Sequence, residues 1–297
     1  MNKKHIELIA RELNIREWQV EHAVTLMEDG ATIPFVSRYR KEATGSLDEV
    51  QLAAVKTLWN NYGELEKRRT AILKSIEEQD KLTPELKKDI EDCWQMNRLE
   101  DLYLPYRPKR KTKASVAREK GLEPLADAIM SLEKKDCLEF AGGFVKEGVE
   151  TALDALAGAR DIIAETVSEN ASLRERIRNI YMQKGMICSK VLKGKEEDGV
   201  KYSNYFDYSE PVRAMAPHRL LALLRAHNEG IVSLSLKPHP DTVPEEMEKM
   251  FLANRSTGVY LSKEAGSLWN MKEALADAYR RLIHPSIENE VLNVYKE

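Results

Sequence analysis

Apolar side chains recur every three or four residues along most of this chain, the period of helices that bury one face. Ile6, Ile9, Ala10 and Leu13 form one stripe, and Val20, Ala23, Val24 and Met27 form another. Two short helices are predicted, with Gly30 as the stop after the second, because glycine reaches φ > 0 without a Cβ penalty. Thr32-Ile33-Pro34 predicts the next start, with Thr as N-cap and Pro in the first turn. The helix FVSRYRKEA follows and Gly45 breaks it. Ser46 to Glu49 reads as a capping box, worth about 1 kcal/mol. From Leu47 to Gln79 the pattern is long and helical: Leu58, Tyr62, Leu65, Ile72 and Ile76 make a coiled-coil-like seam that Arg69 interrupts. Thr83-Pro84 restarts a helix with Leu86, Ile90 and Cys93 or Trp94 on its apolar face, which predicts an antiparallel helical hairpin.

The two prolines of LYLPYRP (102–108) end this run and favour extended backbone. A helix is predicted from about Ser115, and the reading stays helical from Gly121 to Gly185, punctuated by Gly142-Gly143. The run ALDALAGARDIIA is rich in small residues, which suits close helix packing. Ser172 is read as the cap of LRERIRNIYMQK and Gly185 as its stop. These two helices, joined by SENAS, predict a helix-turn-helix-like pair. Between 186 and 240 the character changes. MICSKVL, KYSNYFDY and IVSLSLKPH read as strands, with a polar turn at 193–199 and a helix from His218 to His227. Helices return near 244–254 and from Ser267, the latter bent at Pro285. The fold class expected is mainly α: a multi-helical bundle with a helix-turn-helix-like part and a small β element near 186–240. Three segments are expected: a helical domain with a hairpin at 1–114, a helical part with the helix-turn-helix-like pair at 115–200, and the β element with a long C-terminal helix at 201–297.

Composition narrows the class. The chain has 297 residues, of which 32% are charged and 42% hydrophobic, enough apolar material to fold. Its net charge is only −3, so any nucleic-acid surface has to be a local patch. Cys93, Cys137 and Cys188 are too scattered for a zinc site or a disulfide framework and suit a reducing cytosol. The amphipathic start MNKKHIELIARELNI is not read as a signal peptide, and no apolar run reaches the ~20 residues of a membrane span. A cytoplasmic protein with no membrane association is expected. The helical pattern runs to Glu297 without a stop signal, so the chain reads as part of a longer protein.

Catalytic motifs are missing: no Walker A loop, G-x-G-x-x-G, H-E-x-x-H or G-x-S-x-G occurs. The chain is expected not to be an enzyme and to need no cofactor or metal. A nuclease would require clustered carboxylates around a divalent metal.

The chemistry concentrates in RPKRKTKASVAREK (107–120). Seven basic residues, Arg107, Lys109, Arg110, Lys111, Lys113, Arg118 and Lys120, face one acid, Glu119, for a local charge of +6. Tyr103 and Tyr106 just upstream are candidates for stacking on bases. Four or five phosphate contacts would give a log–log salt slope of about −4. The competing reading is a solvated basic loop paired with acidic helices of the same chain. Arg38, Arg40 and Lys41 form a second basic candidate, open to phosphate contact or to pairing with Asp48, Glu49 or another helix. His218, Arg219, Arg225 and His227 form a third, for which helix capping and turn roles are the expected ones.

Three blocks together, TIPFVSRYRKEATGSLDEV (32–50), LEDLYLPYRPKRKTKASVAREKGLEPLA (99–126) and KYSNYFDYSEPV with HRLLALLRAHNEG (201–230), resemble the N-terminal region of the Tex family of bacterial transcription accessory proteins. The likeness runs from near Met1 to the chain end. It implies a helical N-terminal region with a helix-turn-helix-like part, continuing into an RNase H-like domain, helix-hairpin-helix elements and a C-terminal S1 domain that this chain does not reach. It further implies nucleic-acid binding, mostly through the S1 domain, and a core shared with a eukaryotic transcription elongation factor and histone chaperone. The last long helix resembles the family's central helix. Ala226 stands where the resemblance implies Gly.

The expected function is therefore a non-catalytic, nucleic-acid-binding transcription accessory protein seen through its N-terminal helical scaffold. Its expected partners are RNA or DNA, with RNA polymerase or other transcription factors as protein partners. The alternative is a scaffold that docks on the transcription machinery without touching nucleic acid.

Overall fold

A computed structural model describes residues 2–132, 136–252 and 266–295, and within them the chain forms two compact units, one ending at Tyr106 and one starting at Arg107. The fold is mainly α, with one small antiparallel sheet.

In the N-terminal unit, α1 (Lys3–Leu13) and α2 (Glu17–Glu28) pack on each other and on the 29-residue α4 (Glu49–Glu77), with α3 (Ile33–Tyr39) beside it. The apolar stripes meet as predicted: Ile6, Ile9, Ala10, Val20, Ala23 and Val24 share a core with Val36, Leu52 and Val55. The cap of α4 differs from expectation. Ser46 lies at φ +64, and Asp48 is the N-cap, accepting from the Gln51 amide at 2.7 Å while Gln51 Oε1 accepts from the Asp48 amide at 3.1 Å. Buried Leu47 anchors the entry, so the helix starts beyond it.

α5 (Pro84–Glu91) and α6 (Met96–Tyr103) pack on α4 around Leu65, Ile72, Ile76 and Ile90. Arg69 is accommodated in the seam because its guanidinium lies 4.4 Å over the Trp94 ring and hydrogen-bonds the Cys93 carbonyl. Nearby His5 is buried, stacked on Tyr62 and edge-on to Trp59 and Trp94, with Glu66 Oε1 3.5 Å from its Nε2. Burial lowers the His5 pKa, against the opposing pull of Glu66.

The C-terminal unit is organised around α10 (Ala152–Ser168). It is contacted by α7 (Lys113–Glu119), α8 (Glu123–Met130) and α9 (Cys137–Gly142), and on another side by α14 (Ser267–Asp277). The small residues of α10 make this close approach possible. Ala155 and Ala159 are fully buried, and a Cβ on Gly158 would sit 2.5 Å from Leu122 Cδ1.

α11 (Ala171–Lys184) follows after two residues, capped by Asn170, whose side chain accepts from the Leu173 amide, and not by Ser172. Asn170 reaches that amide because the helix starts two residues earlier than the pattern suggests. Gly185 ends α11 as expected.

β1 (Met186–Val191) lies between β2 (Asp207–Pro211) and β3 (Val232–Lys237), antiparallel to both, with Ile187 opposite Glu210 and Leu236. The segment KYSNYF is not a strand. Val200–Tyr205 winds as a 3-10 helix, which buries Tyr202 and packs Tyr205 and Phe206 against the cluster with Ala226, Ile231 and Val232. α12 (Pro217–Asn228) covers the 218–227 expectation, and α13 (Thr242–Leu252) most of 244–254, whose last two residues lie outside the described ones.

The final helical run passes from α14 through a π-helical turn, Ala278–Ile283, into α15 (His284–Val294), with Pro285 directly after the turn. A proline cannot donate to the preceding turn, and the π turn absorbs that break. Glu288 Oε1 on α15 accepts from the Leu236 amide at 2.6 Å, occupying a donor on the outer edge of β3. Glu290 holds Arg174 and Arg178 of α11.

Candidate nucleic-acid interface

The basic segment begins as extended chain after the 3-10 turn Leu104–Tyr106 and becomes helical at α7. Thr112 is the cap. Its Oγ1 accepts from the Ser115 amide at 3.0 Å, and Ser115 Oγ accepts from the Thr112 amide at 2.9 Å. Ala114 and Ala117 are buried toward α10, which directs the long cationic side chains around this seam.

Those cations divide into two sets. Lys109 and Arg118 turn inward onto α10: Lys109 Nζ is 3.2 Å from Glu165 Oε1 and also grips Glu169, while Arg118 donates to Glu165 Oε1 at 2.6 Å. The Glu165 side chain is only 10% exposed. Burial pushes its pKa up, but the hydrogen bonds from Arg118 and Thr112 and the charge of Lys109 outweigh that and hold the carboxyl below its ordinary value. For Glu169, one turn later, burial dominates; Lys109 opposes it, Glu165 adds repulsion, and the pKa ends raised. Together these residues pin the segment to the helix.

The second set faces solvent. Arg107 and Arg110 are exposed and have no ion pair among the described residues. Lys111 is 3.6 Å from Glu119, both well exposed, a surface pair worth about 0–1 kcal/mol. Lys113 is exposed near Asp161, whose pKa burial raises against the opposing charges of Arg281 and Lys113, and near Asp277, whose pKa the Arg281 hydrogen bond lowers. Lys120 is half-buried and lines, with Lys113, a groove of about 540 Å³ whose other walls include Glu150, Asp154 and Asp161. That mixture of charges does not make an anion pocket.

The tyrosines upstream belong to the N-terminal unit. Tyr103 is buried against α4, with Ser75 Oγ 3.0 Å from its hydroxyl and Arg68 over its ring. It is therefore not a base-stacking platform, and Tyr106 is half-buried in the same cluster.

In that unit Arg38, Arg40 and Lys41 are all exposed, and none has an ion pair among the described residues. The expected partners Asp48 and Glu49 do not engage them; Asp48 is occupied as the α4 cap. Phe35 and Tyr39, not singled out by the sequence reading, stand exposed beside these cations with ring centroids 5.4 Å apart. Their i, i+4 spacing puts them on one face of the helix, but nothing in the sequence marks that face as the exposed one.

In the third candidate Arg219 and His227 have structural partners, while His218 and Arg225 are exposed. Arg219 forks onto Glu210 at 2.6 and 3.1 Å, and the His227 ring contacts the Val232 carbonyl at 3.1 Å. Ala226 is fully buried inside α12, so its small size serves packing and no left-handed turn. Among the described residues, no three His, Cys, Asp or Glu side chains are grouped so as to hold a metal ion, and no helix is long and apolar enough to cross a membrane.

The chain matches two family descriptions: Tex-like protein N-terminal domain over residues 3–77, and Tex central region-like over residues 133–297. It is 41% identical over 293 residues to the transcriptional accessory protein Tex of Neisseria gonorrhoeae, covering 98% of this chain and 38% of that protein. It is 45% identical over 249 residues to the protein tex of Bordetella pertussis, covering 80% of this chain and 32% of that protein. A more distant human relative, S1 RNA-binding domain-containing protein 1, is 28% identical over 300 residues, 98% of this chain and 30% of that one. The chain spans about two fifths of the length of the curated bacterial relatives it matches, 38% for the first.

Proposed function

The chain belongs to the Tex-like protein family, and from that premise we propose that it is the helical scaffold of a non-catalytic transcription accessory protein that contacts nucleic acid through phosphates at 107–120. The observation that carries this reading is the division of labour within the basic segment. Lys109 and Arg118 are spent on Glu165 and Glu169, and in being spent they fix the backbone. Arg107 and Arg110 are thereby presented to solvent without a carboxylate, with Lys111 held only by an exchangeable surface pair. A preorganised cation loses less entropy on meeting a phosphate than one on a free loop. The names of the relatives, a transcriptional accessory protein and an S1 RNA-binding domain protein, support the same partner class.

The consecutive helices α10 and α11, expected as a helix-turn-helix-like pair, are not assigned the contact. Arg174 and Arg178 are buried on Glu290, and Arg176 pairs with Glu246 at 2.9 Å. A recognition helix needs its donors free for base edges. We place this work in the cytoplasm, where the free thiols Cys93, Cys137 and Cys188 fit a reducing compartment.

The test is fluorescence anisotropy with labelled RNA and DNA at low salt, comparing the chain with its Arg107→Glu/Arg110→Glu variant. We expect at least a tenfold loss of affinity and a salt slope shallower by about 2, one unit for each lost cation. Binding unchanged by the double reversal removes this segment from the contact, and favours a scaffold that docks on protein.

A further inference from the structure

The N-terminal unit carries an exposed feature that the phosphate contact at 107–120 does not use. Phe35 and Tyr39 lie one turn apart on α3, tilted 42° to each other, with 44% and 68% of their surfaces open to solvent. Exposed aromatic rings side by side are costly to leave in water, and they mark surfaces that meet a partner. Arg38 stands on the same short helix, Arg40 and Lys41 follow it directly, and Glu42 is the one acid in the stretch 33–46.

The feature is held in place. Val36 and Ser37 are buried beneath it. The loop after α3 is clamped onto α2: His22 Nδ1 lies 2.8 Å from the Ala43 carbonyl, and Gln19 Nε2 donates to the carbonyls of Thr44 and Gly45 at 3.0 and 3.2 Å. Gly45, at φ +62, lets Trp18 close over it, since a Cβ there would sit 2.6 Å from the indole. Rings and cations are thus presented on a fixed frame.

Two kinds of partner could cover such rings. A protein surface would have to supply carboxylates for three unpaired cations around a small aromatic centre. A single-stranded nucleic acid supplies both complements in each nucleotide, a π-face for the ring and a phosphate for the cation. A duplex offers only the phosphates, because its bases are already stacked. We propose that Phe35 and Tyr39 stack on unpaired bases of a single-stranded nucleic acid whose phosphates meet Arg38, Arg40 and Lys41. This rests on the nucleic-acid reading above but assigns a separate site and a strand preference.

The test uses the full chain with a labelled twelve-nucleotide oligo(U) and a labelled RNA hairpin. The wild type binds the single strand more tightly. Phe35→Ala/Tyr39→Ala weakens single-strand binding by about ten- to a hundred-fold, with the salt slope retained because the cations remain. Tyr39→Phe, which keeps the ring, preserves affinity. All these side chains are exposed, and circular dichroism melting checks that each variant folds. Single-strand binding that survives loss of both rings while falling with Arg107→Glu/Arg110→Glu overturns this site, leaves the other reading standing and assigns the rings to a protein contact. A chain that binds neither probe overturns both.

Discussion

Replacing Glu165 with Gln should make the protein less stable and a better ligand for polyanions at once. Glu165 is nearly buried, while Lys109 and Arg118 are 31% and 32% exposed. Removing one partner of a fully buried ion pair costs about 3–5 kcal/mol. Here each cation reaches water, and Lys109 keeps Glu169, so the expected loss is about 2 kcal/mol. In a unit of this size that lowers the melting temperature by about 4–8 °C. The same substitution removes one negative charge from beneath the basic segment. Arg118 becomes available to phosphate while Lys109 stays on Glu169, so affinity for labelled RNA at low salt should rise and the salt slope should steepen by about 1. Glu169→Gln touches only Lys109 and should move both quantities in the same directions by less. Melting unchanged from wild type would show that the cluster does not hold the segment. Weaker RNA binding would show that the field at 107–120 is not what the polyanion meets.

Acidification should weaken the N-terminal unit selectively. Burial holds His5 below its ordinary pKa, so the unfolded chain takes up the proton first, and His5's contribution, present above about pH 6.5, is lost as pH falls below it. Thermal melts from pH 7.5 to 5 should show this, and His5→Phe, which keeps an aromatic ring among Trp59, Tyr62 and Trp94, should flatten that part of the profile. Tyr181→Phe removes a buried hydroxyl lying 3.0 Å from Tyr279 Oη and 2.6 Å from His284 Nδ1. The expected cost is about 1–3 kcal/mol in urea unfolding, because both partners lose their contact. Gly45→Ala adds a Cβ 2.6 Å from Trp18 at a left-handed backbone position, with an expected loss of about 1–3 kcal/mol and a red-shifted indole emission.

Where side-chain period and local caps decide structure, the sequence could be read directly. The stripes at Ile6–Leu13 and Val20–Met27 are buried as their spacing requires, and the small residues of 152–164 make the close packing expected of them. Errors came where two local signals competed. KYSNYF is rich in aromatic residues like a strand, yet Tyr202 and Tyr205 sit three apart, the 3-10 period, and the Tyr202 hydroxyl donates to Glu229 at 2.7 Å. At the head of α4, Ser46 and Glu49 match a capping box, and so do Asp48 and Gln51; burying Leu47 selects the second. The candidate interface was legible as composition but not as availability. Glu165 and Glu169 lie 56 and 60 residues from Lys109, and only the packing of α7 on α10 brings them under it. The rings of Phe35 and Tyr39 were hidden for the opposite reason: aromatic residues on a helix are usually core, and nothing local says that α3 turns only Val36 and Ser37 inward.

The π-helical turn at Ala278–Ile283 acts as a phase corrector in the last helical run. In an uninterrupted α-helix Ile287 would sit about 120° around the axis from Leu275, at about 100° per residue. One additional residue within a turn cuts that offset to about 20°, and both side chains reach the same core. Deleting one residue between 278 and 283 would return the run to ordinary α-helix and leave α15 in the same phase. Inserting one more would instead rotate α15 by about 100°. Ile287 and Val291 would swing toward water, and Glu288 and Glu290 would leave the β3 edge and the arginines of α11 together, so that insertion would undo contacts that no single substitution reaches at once.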